Sequence, residues 1–339
     1  MTLNQRKQDH LRILDDDPQT DRHCNFFDEI HLRQRALPGL DLADVDTSVE
    51  FMGKRLSFPL LISSMTGGAG DAMLRINRNL AQSAQATGVA MGVGSQRVML
   101  KDESAVASFM LRGDAPDILL FGNLGAVQLN NGISVDDCNR LVQKTGVDAL
   151  CLHLNPLQEA VQPEGDTNFG GLVERIGELV DGLSVPVIVK EVGCGIGADD
   201  ARVLQDAGVR YIDVAGRGGT SWSRIEWHRS HEDDEAGLVF QDWGLPTPEA
   251  LRQLWQPDGS PVKLIASGGI RSGIDMVKAV VLGGSLCGIA GPFIARAGES
   301  AEAVIKYIEG LKKQFRIAMF LLGVRTVGEL NGNYKLLCD

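Results

Sequence analysis

The sequence predicts an α/β protein of the (β/α)8 TIM-barrel class, with an N-terminal arm, a long insertion after the sixth strand and a C-terminal helix. Three observations predict it. Apolar strand-like runs alternate with amphipathic helical patterns eight times. Every run ends in a polar or glycine-rich turn, the face on which barrel proteins place their sites. The 339 residues, 44% of them hydrophobic, are enough for one large core. A doubly wound sheet, the alternative, has fewer strands and one phosphate fingerprint after the first of them.

Strands are expected at residues 59–64, 91–94, 118–122, 149–155, 186–192, 211–215, 263–267 and 286–290. The turns after them read, in order, SSMTGG, GSQR, GNLG, NPLQE, KEVGCG, AGRGGTSW, SGGIRSG and AGP. Helical patterns fall at 71–87, 134–144, 169–183, 198–207 and 274–282, and a longer one at 301–322 is expected to pack across the barrel or on a neighbouring subunit. The whole chain, 1–339, reads as a single barrel domain. Residues 1–50 form a polar arm before the first strand, and residues 221–247, too long for an ordinary connection, form a lid-like insertion.

Composition narrows the function. The 40 glycines cluster after apolar runs, which suits tight turns and close backbone approach to ligands rather than a linker. A net charge of -11 argues against a general nucleic-acid role, and an anionic substrate would need local Arg and Lys clusters. The six cysteines form no CxxC pair, so neither a zinc ribbon nor a redox pair is indicated. Cys151 and Cys287 lie in apolar runs and are expected to be buried, reduced thiols of a cytoplasmic protein. Residues 1–10 lack an apolar signal core, and no window approaches the ~20 apolar residues of a membrane helix.

The fourth strand is the most informative. Side chains alternate along a strand, so Leu150, Leu152 and Leu154 share one face and Cys151, His153 and Asn155 the other. The first face should meet the helices and the second the barrel mouth, where His153, Asn155, Gln158 and Glu159 gather. Capped strand-end polar groups are the plainer alternative. Gly268, Gly269, Ile270 and Arg271 after the seventh strand, with Ala290 and Gly291 after the eighth, match the usual phosphate position of such barrels. Lys190 ends the fifth strand and could be a Schiff base, a general base, a charge partner for a cofactor, or half of a structural ion pair with Glu191 or Asp213. Thr220, Ser64, Met65, Thr66, Ser95 and Asn123 complete a ring of neutral contacts that suits an isoalloxazine ring, with Lys190 near its N1/O2 edge.

These motifs resemble the type 2, FMN-dependent isopentenyl diphosphate isomerases along nearly the whole chain. The resemblance runs through Arg6-Lys7 with His10, Met65-Thr66-Gly67-Gly68, Gly94-Ser95-Gln96-Arg97 and His153-Leu154-Asn155-Pro156-Leu157-Gln158-Glu159. It continues through Lys190-Glu191-Val192-Gly193, Gly216-Arg217-Gly218-Gly219-Thr220, Trp243-Gly244-Leu245-Pro246-Thr247 and Ser267-Gly268-Gly269-Ile270-Arg271. It implies that Ser64, Met65, Thr66, Ser95, Asn123, Lys190 and Thr220 contact FMN, and that Gly269, Ile270, Arg271, Ala290 and Gly291 hold its phosphate. It further implies that Arg6, Lys7, Ser95, Gln96, Arg97, His153, Asn155 and Gln158 contact isopentenyl diphosphate, with Mg2+ on Glu159 and NADPH as reductant. Gln158, Lys190 and His153 are the catalytic candidates, and a cytoplasmic homo-oligomer, tetramer or octamer, is expected.

An unactivated alkene is a poor base, and no Asp or Glu of the matched motifs stands out as its acid. Reduced FMN itself is therefore expected to give and take the proton, N5 being the favoured atom. An FMN-dependent 2-hydroxy-acid oxidase is the first rival. It needs a histidine base after the sixth or seventh strand; those turns have none, and only His228 and His231 further along could supply it. A dehydrogenase with a cysteine nucleophile on a mobile loop is weaker, since residues 217–243 contain no Cys. A non-catalytic flavin carrier is the third.

Overall fold

The computed structural model describes residues 3–65, 70–100, 102–230, 234–256 and 262–338, with backbone alone at residues 3–8 and 11. The chain opens with helix α1 (Leu3–Asp16), an element not foreseen in the arm. The arm then ends in an equally unforeseen antiparallel hairpin, β1 (Val49–Phe51) and β2 (Lys54–Leu56). Its left-handed turn falls on Met52 and Gly53, φ 46° and 74°.

Eight parallel strands then close a barrel in sequence order: β3 (Leu60–Ile62), β4 (Ala90–Gly92), β5 (Leu120–Gly125), β6 (Ala149–His153), β7 (Val187–Lys190), β8 (Tyr211–Asp213), β9 (Lys263–Ser267) and β10 (Gly284–Ile289). The last pairs the first, Cys287 opposite Leu60 and Ile289 opposite Ile62. All eight strands lie where the apolar runs put them. The runs are nearly unbroken in hydrophobicity because both faces are covered. Residues of one parity, including Leu61, Phe121, Cys151, Ile188, Ile265 and Leu286, fill the barrel. Those of the other parity, including Leu150 and Leu152, join the larger core under the helices, and the half-buried Leu154 packs against it. The alternation expected along the fourth strand therefore holds. Phe51 and Leu56 of the hairpin join the interior cluster, and Phe51 meets Tyr211 edge-on at 5.6 Å, plugging the end opposite the site.

The outer ring comprises α2 (Asp71–Thr87), α3 (Val135–Thr145), the short α4 (Pro156–Val161), α5 (Leu172–Gly182) and α6 (Ala198–Asp206). The insertion after β8 carries α7 (Trp222–Trp227) and α8 (Ala236–Val239); α9 (Thr247–Leu254), α10 (Gly273–Val281), α11 (Gly291–Glu299), α12 (Ala301–Leu322) and α13 (Val327–Leu330) follow. One unit departs from strict alternation: two 3-10 turns, Gln96–Leu100 and Glu103–Phe109, stand between β4 and β5. Asp102 accepts from the Ser104 N–H and starts the second turn afresh, which interrupts a continuous α-helix. The long C-terminal pattern is helix α12 over the expected residues, and it packs on α2 and α10 as part of the ring. Its approach to α10 is so close that a Cβ on Gly273 would lie 2.5 Å from the Leu311 carbonyl. Among the described residues no helix is long and apolar enough to cross a membrane.

The insertion does not stand alone. Ser221 N–H donates to the Thr20 carbonyl at 2.7 Å, and Arg22 N–H to that of Gly219 at 3.2 Å. The Arg22 guanidinium, 7% exposed, donates to the carbonyls of Gly193, Thr220 and Gln241. Asp17 takes Arg224 at 2.6 Å and His228 at 2.8 Å. Arm and insertion thus form one cover whose inner layer borders the barrel mouth.

Candidate active site

The barrel interior changes character at its C-terminal end. The inward positions above Phe121, Cys151, Ile188 and Ile265 are Asn123, His153, Lys190 and Ser267, with Asp213 between the last two. His153 and Lys190 are register partners, and so are Lys190 and Asp213. His153 Nδ1 lies 2.7 Å from Asn123 Oδ1, so one predicted contact orients another. Lys190 is 7% exposed and donates to the Glu191 carbonyl. The Glu191 carboxylate turns away, collecting the N–H groups of Val192, Gly193, Cys194 and Gly195.

Of the three remaining inward positions two are glycines, Gly92 and Gly288, and the third is Ser63. A Cβ on Gly92 would stand 2.6 Å from Ser64 Oγ, and one on Gly288 would stand 2.5 Å from Ser63 Oγ. Ser63 Oγ is itself buried without a hydrogen-bond partner, an unsatisfied group that a ligand atom could complete. Ser64 and Met65 are half-buried beside it, and Thr66 lies outside the described residues. Gly268 and Gly269 have φ 100° and 83°, and a Cβ on either would collide with the backbone of Gly216 or Gly218. The sixth and seventh turns therefore press together, Thr220 bordering the first of them.

Around the phosphate candidates the hydrogen bonds are unevenly used. Arg271 and Ser272 N–H both donate to Asp275, in a capping box, and Gly273 N–H donates to Gln314. The Arg271 guanidinium reaches Asp21 at 2.9 Å and the carbonyls of Arg22, His23 and Gly218. It ties the arm to this rim. Gly269 and Ile270 remain, and Ala290 leads into α11, where a Cβ on Gly291 would meet nothing within 4 Å.

The substrate candidates form a second cluster. Asn155 Nδ2 donates to Gln158 Oε1 at 3.2 Å and Glu159 Oε1 at 2.8 Å, while its own Oδ1 has no partner. Glu159, 7% exposed, also accepts from Gln162 and the Asp166 N–H. Arg97 pairs with Asp166 at 3.0 Å, whose carboxyl is held below the usual range by Gln128 and Arg97 despite its burial. Gln96 is fully buried, accepting from the Asn123 N–H at 3.0 Å and touching Met99, so it backs the site wall. The side chains of Arg6 and Lys7 lie outside the described residues. Among the described residues no three His, Cys, Asp or Glu gather as a metal site.

The sequence reading missed Glu226. It is fully buried, accepts from Gln158 Nε2 at 2.8 Å, stands 3.0 Å from His10 Nε2 and pairs with Arg229. Burial pushes its carboxyl up, but His10, Gln158 and Arg229 outweigh that and hold it below the usual range. A signal existed: Ser223 and Glu226, three apart in α7, share its buried face, and Glu226 is the one charge there. His228, the candidate base of the oxidase alternative, is bound to Asp17 on the outer seam, and His231 lies outside the described residues.

Fold and rim define a barrel of the FMN-dependent dehydrogenase class: the family model of that description matches residues 4–108 and 153–336. Solved structures agree on the fold, among them a flavocytochrome b2 variant (TM-score 0.66, 19% identity, 93% of this chain and 77% of that one). Another is a mandelate oxidase carrying a monooxide FMN adduct (TM-score 0.62, 21% identity, 90% of this chain and 87% of that one). Nearer relatives are the isopentenyl-diphosphate delta-isomerases of Paracoccus zeaxanthinifaciens, 54% identical over 98% of this chain and 96% of that one. That of Hydrogenovibrio crunogenus is 52% identical over 99% and 98%. The chain belongs to the isopentenyl-diphosphate delta-isomerase family.

Proposed function

We propose that the chain interconverts isopentenyl and dimethylallyl diphosphate with FMN bound at the barrel mouth, NADPH as reductant and Mg2+ on the diphosphate. The observation that carries this reading is the rim itself. One polar layer, Asn123, His153, Lys190 and Ser267, faces a glycine-lined space beside a separate Asn155, Gln158 and Glu159 cluster. Two polar groupings thus lie side by side, one suited to a planar cofactor and the other to a polar substrate. The residues suit the flavin: Ser63 Oγ lacks a partner, Gly92 and Gly288 add no side chain to a crowded rim, and Lys190 supplies one buried cation. Ser64, Met65, Thr66, Ser95, Asn123 and Thr220 would border the ring, and Gly269, Ile270, Arg271, Ala290 and Gly291 its phosphate.

When bound in reduced form, FMN supplies the acid and base that the alkene requires. This chain's own residues would do the rest. His153, oriented by Asn123, would contact the diphosphate together with Asn155, Arg97, Ser95 and Gln96 and, from the arm, Arg6 and Lys7. Gln158, held by Glu226, would fix the alkene against the ring. Glu159 would take Mg2+: its two oxygens have about four acceptor positions, and three are used by Asn155, Gln162 and Asp166. Magnesium commonly needs only one or two carboxylates when substrate phosphate oxygens complete its shell. Arm and insertion would close as a lid over a single barrel domain. A cytoplasmic homo-oligomer, tetramer or octamer, is the assembly we favour; the six free cysteines and the exposed Leu37, Leu42, Ile317 and Leu321 support it.

The test is an anaerobic assay in deuterated buffer with FMN, NADPH, Mg2+ and isopentenyl diphosphate, followed by NMR. Dimethylallyl diphosphate carrying solvent deuterium, formed only with reduced flavin, is expected. No conversion by protein with bound, reducible flavin would remove the reading. A Lys190→Ala protein with undiminished FMN binding and activity would remove the part given to Lys190.

A further inference from the structure

Lys190 is a buried cation at the bottom of the mouth, and a buried cation needs a counter-charge. Two carboxylates are close in the chain. Glu191 is turned the other way: four backbone N–H groups converge on its Oε2, and Lys190 reaches its carbonyl rather than its carboxylate. Asp213 is different. It is 2% exposed and is the register partner of Lys190 on the adjacent strand, where paired strands run roughly 4.8 Å apart. Its Oδ1 accepts from Ser267 Oγ and from the Ala215 N–H, and no bond is described for Oδ2. On the other flank Lys190 faces His153 of β6, with Cys151 below it and Asn123 beyond.

We propose that Asp213, anchored by Ser267, is the counter-charge that keeps Lys190 an ammonium ion beneath the flavin: a positioning residue acting through Lys190. This deepens the flavin reading and rests on it. Burial raises the Asp213 carboxyl, and Lys190 is the leading influence that opposes it. Each group is penalised alone at so buried a position, and together they are tolerated. Ser267 and Ala215 hold Oδ1, and the charge acts on Lys190 across the paired strands rather than through a direct bond. The assignment also accounts for a buried acid whose register partners are Lys190 and Ile265.

The test uses FMN-loaded protein. The reduced flavin is titrated from pH 6 to about 9.5 under anaerobic conditions, and its spectrum reports the ring's N1 proton. Wild-type protein, Asp213→Asn, Lys190→Met and the double variant are compared. A Lys190 that keeps its charge favours the deprotonated ring. Asp213→Asn is therefore expected to let Lys190 go neutral and to move the ring's transition upward by about one unit, a tenfold change. Lys190→Met should match it, and the double variant should add nothing further. An unchanged or downward transition in Asp213→Asn overturns the proposal, because a lysine left charged without its partner would favour the deprotonated ring more strongly. Equal effects of Asp213→Asn with and without Lys190 overturn it as well. Should Asp213→Asn fail to fold, Ser267→Ala frees Oδ1 while keeping the charge; a smaller upward move supports the assignment and none overturns it. Wild-type protein that takes up no FMN defeats the flavin reading, a result distinct from all of these.

Discussion

Gln158 Nε2 donates to Glu226 Oε1 at 2.8 Å across 68 residues of sequence, joining the fourth turn of the barrel to the insertion after the sixth strand. Amide rotation is thereby stopped, and Gln158 Oε1 is left to Asn155. Replacing Glu226 by Gln keeps the volume and makes the donor–acceptor match ambiguous. A misplaced orienting group costs ~100-fold in rate, so kcat should fall by about that much while KM for the diphosphate moves little. Arg229 would keep Glu164 and lose Glu226. Removing one member of a buried pair costs up to about 3–5 kcal/mol. Steady-state kinetics and chemical denaturation check both outcomes, and unchanged kcat would remove Glu226 from the positioning of Gln158.

The arm is held to the insertion by a carboxylate that resists acid. Burial raises Asp17, yet Arg224 and His228 hydrogen bonds and the Gln19 N–H bring it down to about 2. A lowered carboxylate contributes stability that is complete above its unfolded value, about 4, and lost as pH falls toward 2. Protease cleavage within the arm should thus be constant between pH 7 and 4 and rise only below that. Asp17→Asn should raise it at pH 7. Cleavage rising already near pH 5 would assign the arm's hold to other groups.

The fold was legible because each strand is a short apolar run closed by glycine or polar residues, a pattern that both covered faces enforce. The hairpin β1–β2 was not legible, since Val49–Phe51 and Lys54–Leu56 are three-residue strands whose apolar residues matter only once the barrel bottom exists. In the site, parity along the fourth strand located His153 and Asn155. Glu226 escaped, and Asp213 was only half read. Glu226 comes from a remote helix and meets Gln158 only in space. Asp213 was read as one of two ion-pair partners for Lys190, the other being Glu191, because a strand pattern cannot show that four N–H groups converge on Glu191 Oε2.

Thiol chemistry offers an independent check of burial. Burial pushes Cys138 up to about 11, and Cys151 and Cys194 up to about 12, the Glu191 charge adding to the last. Cys287 is raised for the same reason. Only thiolates react quickly, so at pH 8 a disulfide reagent should modify the exposed Cys24 and Cys338 and reach the other four only after denaturation. Peptide mapping identifies the labelled positions. Rapid loss of Cys194 in native protein would show that the loop after β7 opens.

The place proposed for the flavin is bounded by a position without a side chain. Gly288 faces inward at the closing strand, with Ser63 Oγ and Ser267 Cβ at 2.5 and 2.8 Å from where a Cβ would stand. Gly288→Val should therefore push both serines aside and project two methyl groups into the mouth. Overpacking of a core position costs typically ~1–3 kcal/mol, less than the 5–15 kcal/mol of a usual domain, so the barrel should still fold. FMN uptake should be lost, seen as a colourless protein with native circular dichroism. The register Gly288 to Leu61 and Ser267 fixes this residue to the inner face, so the effect cannot arise from the helix side. A yellow, stoichiometrically loaded Gly288→Val protein would mean that the ring lies elsewhere on the rim, and would move the search to the groove between Arg97 and Glu159.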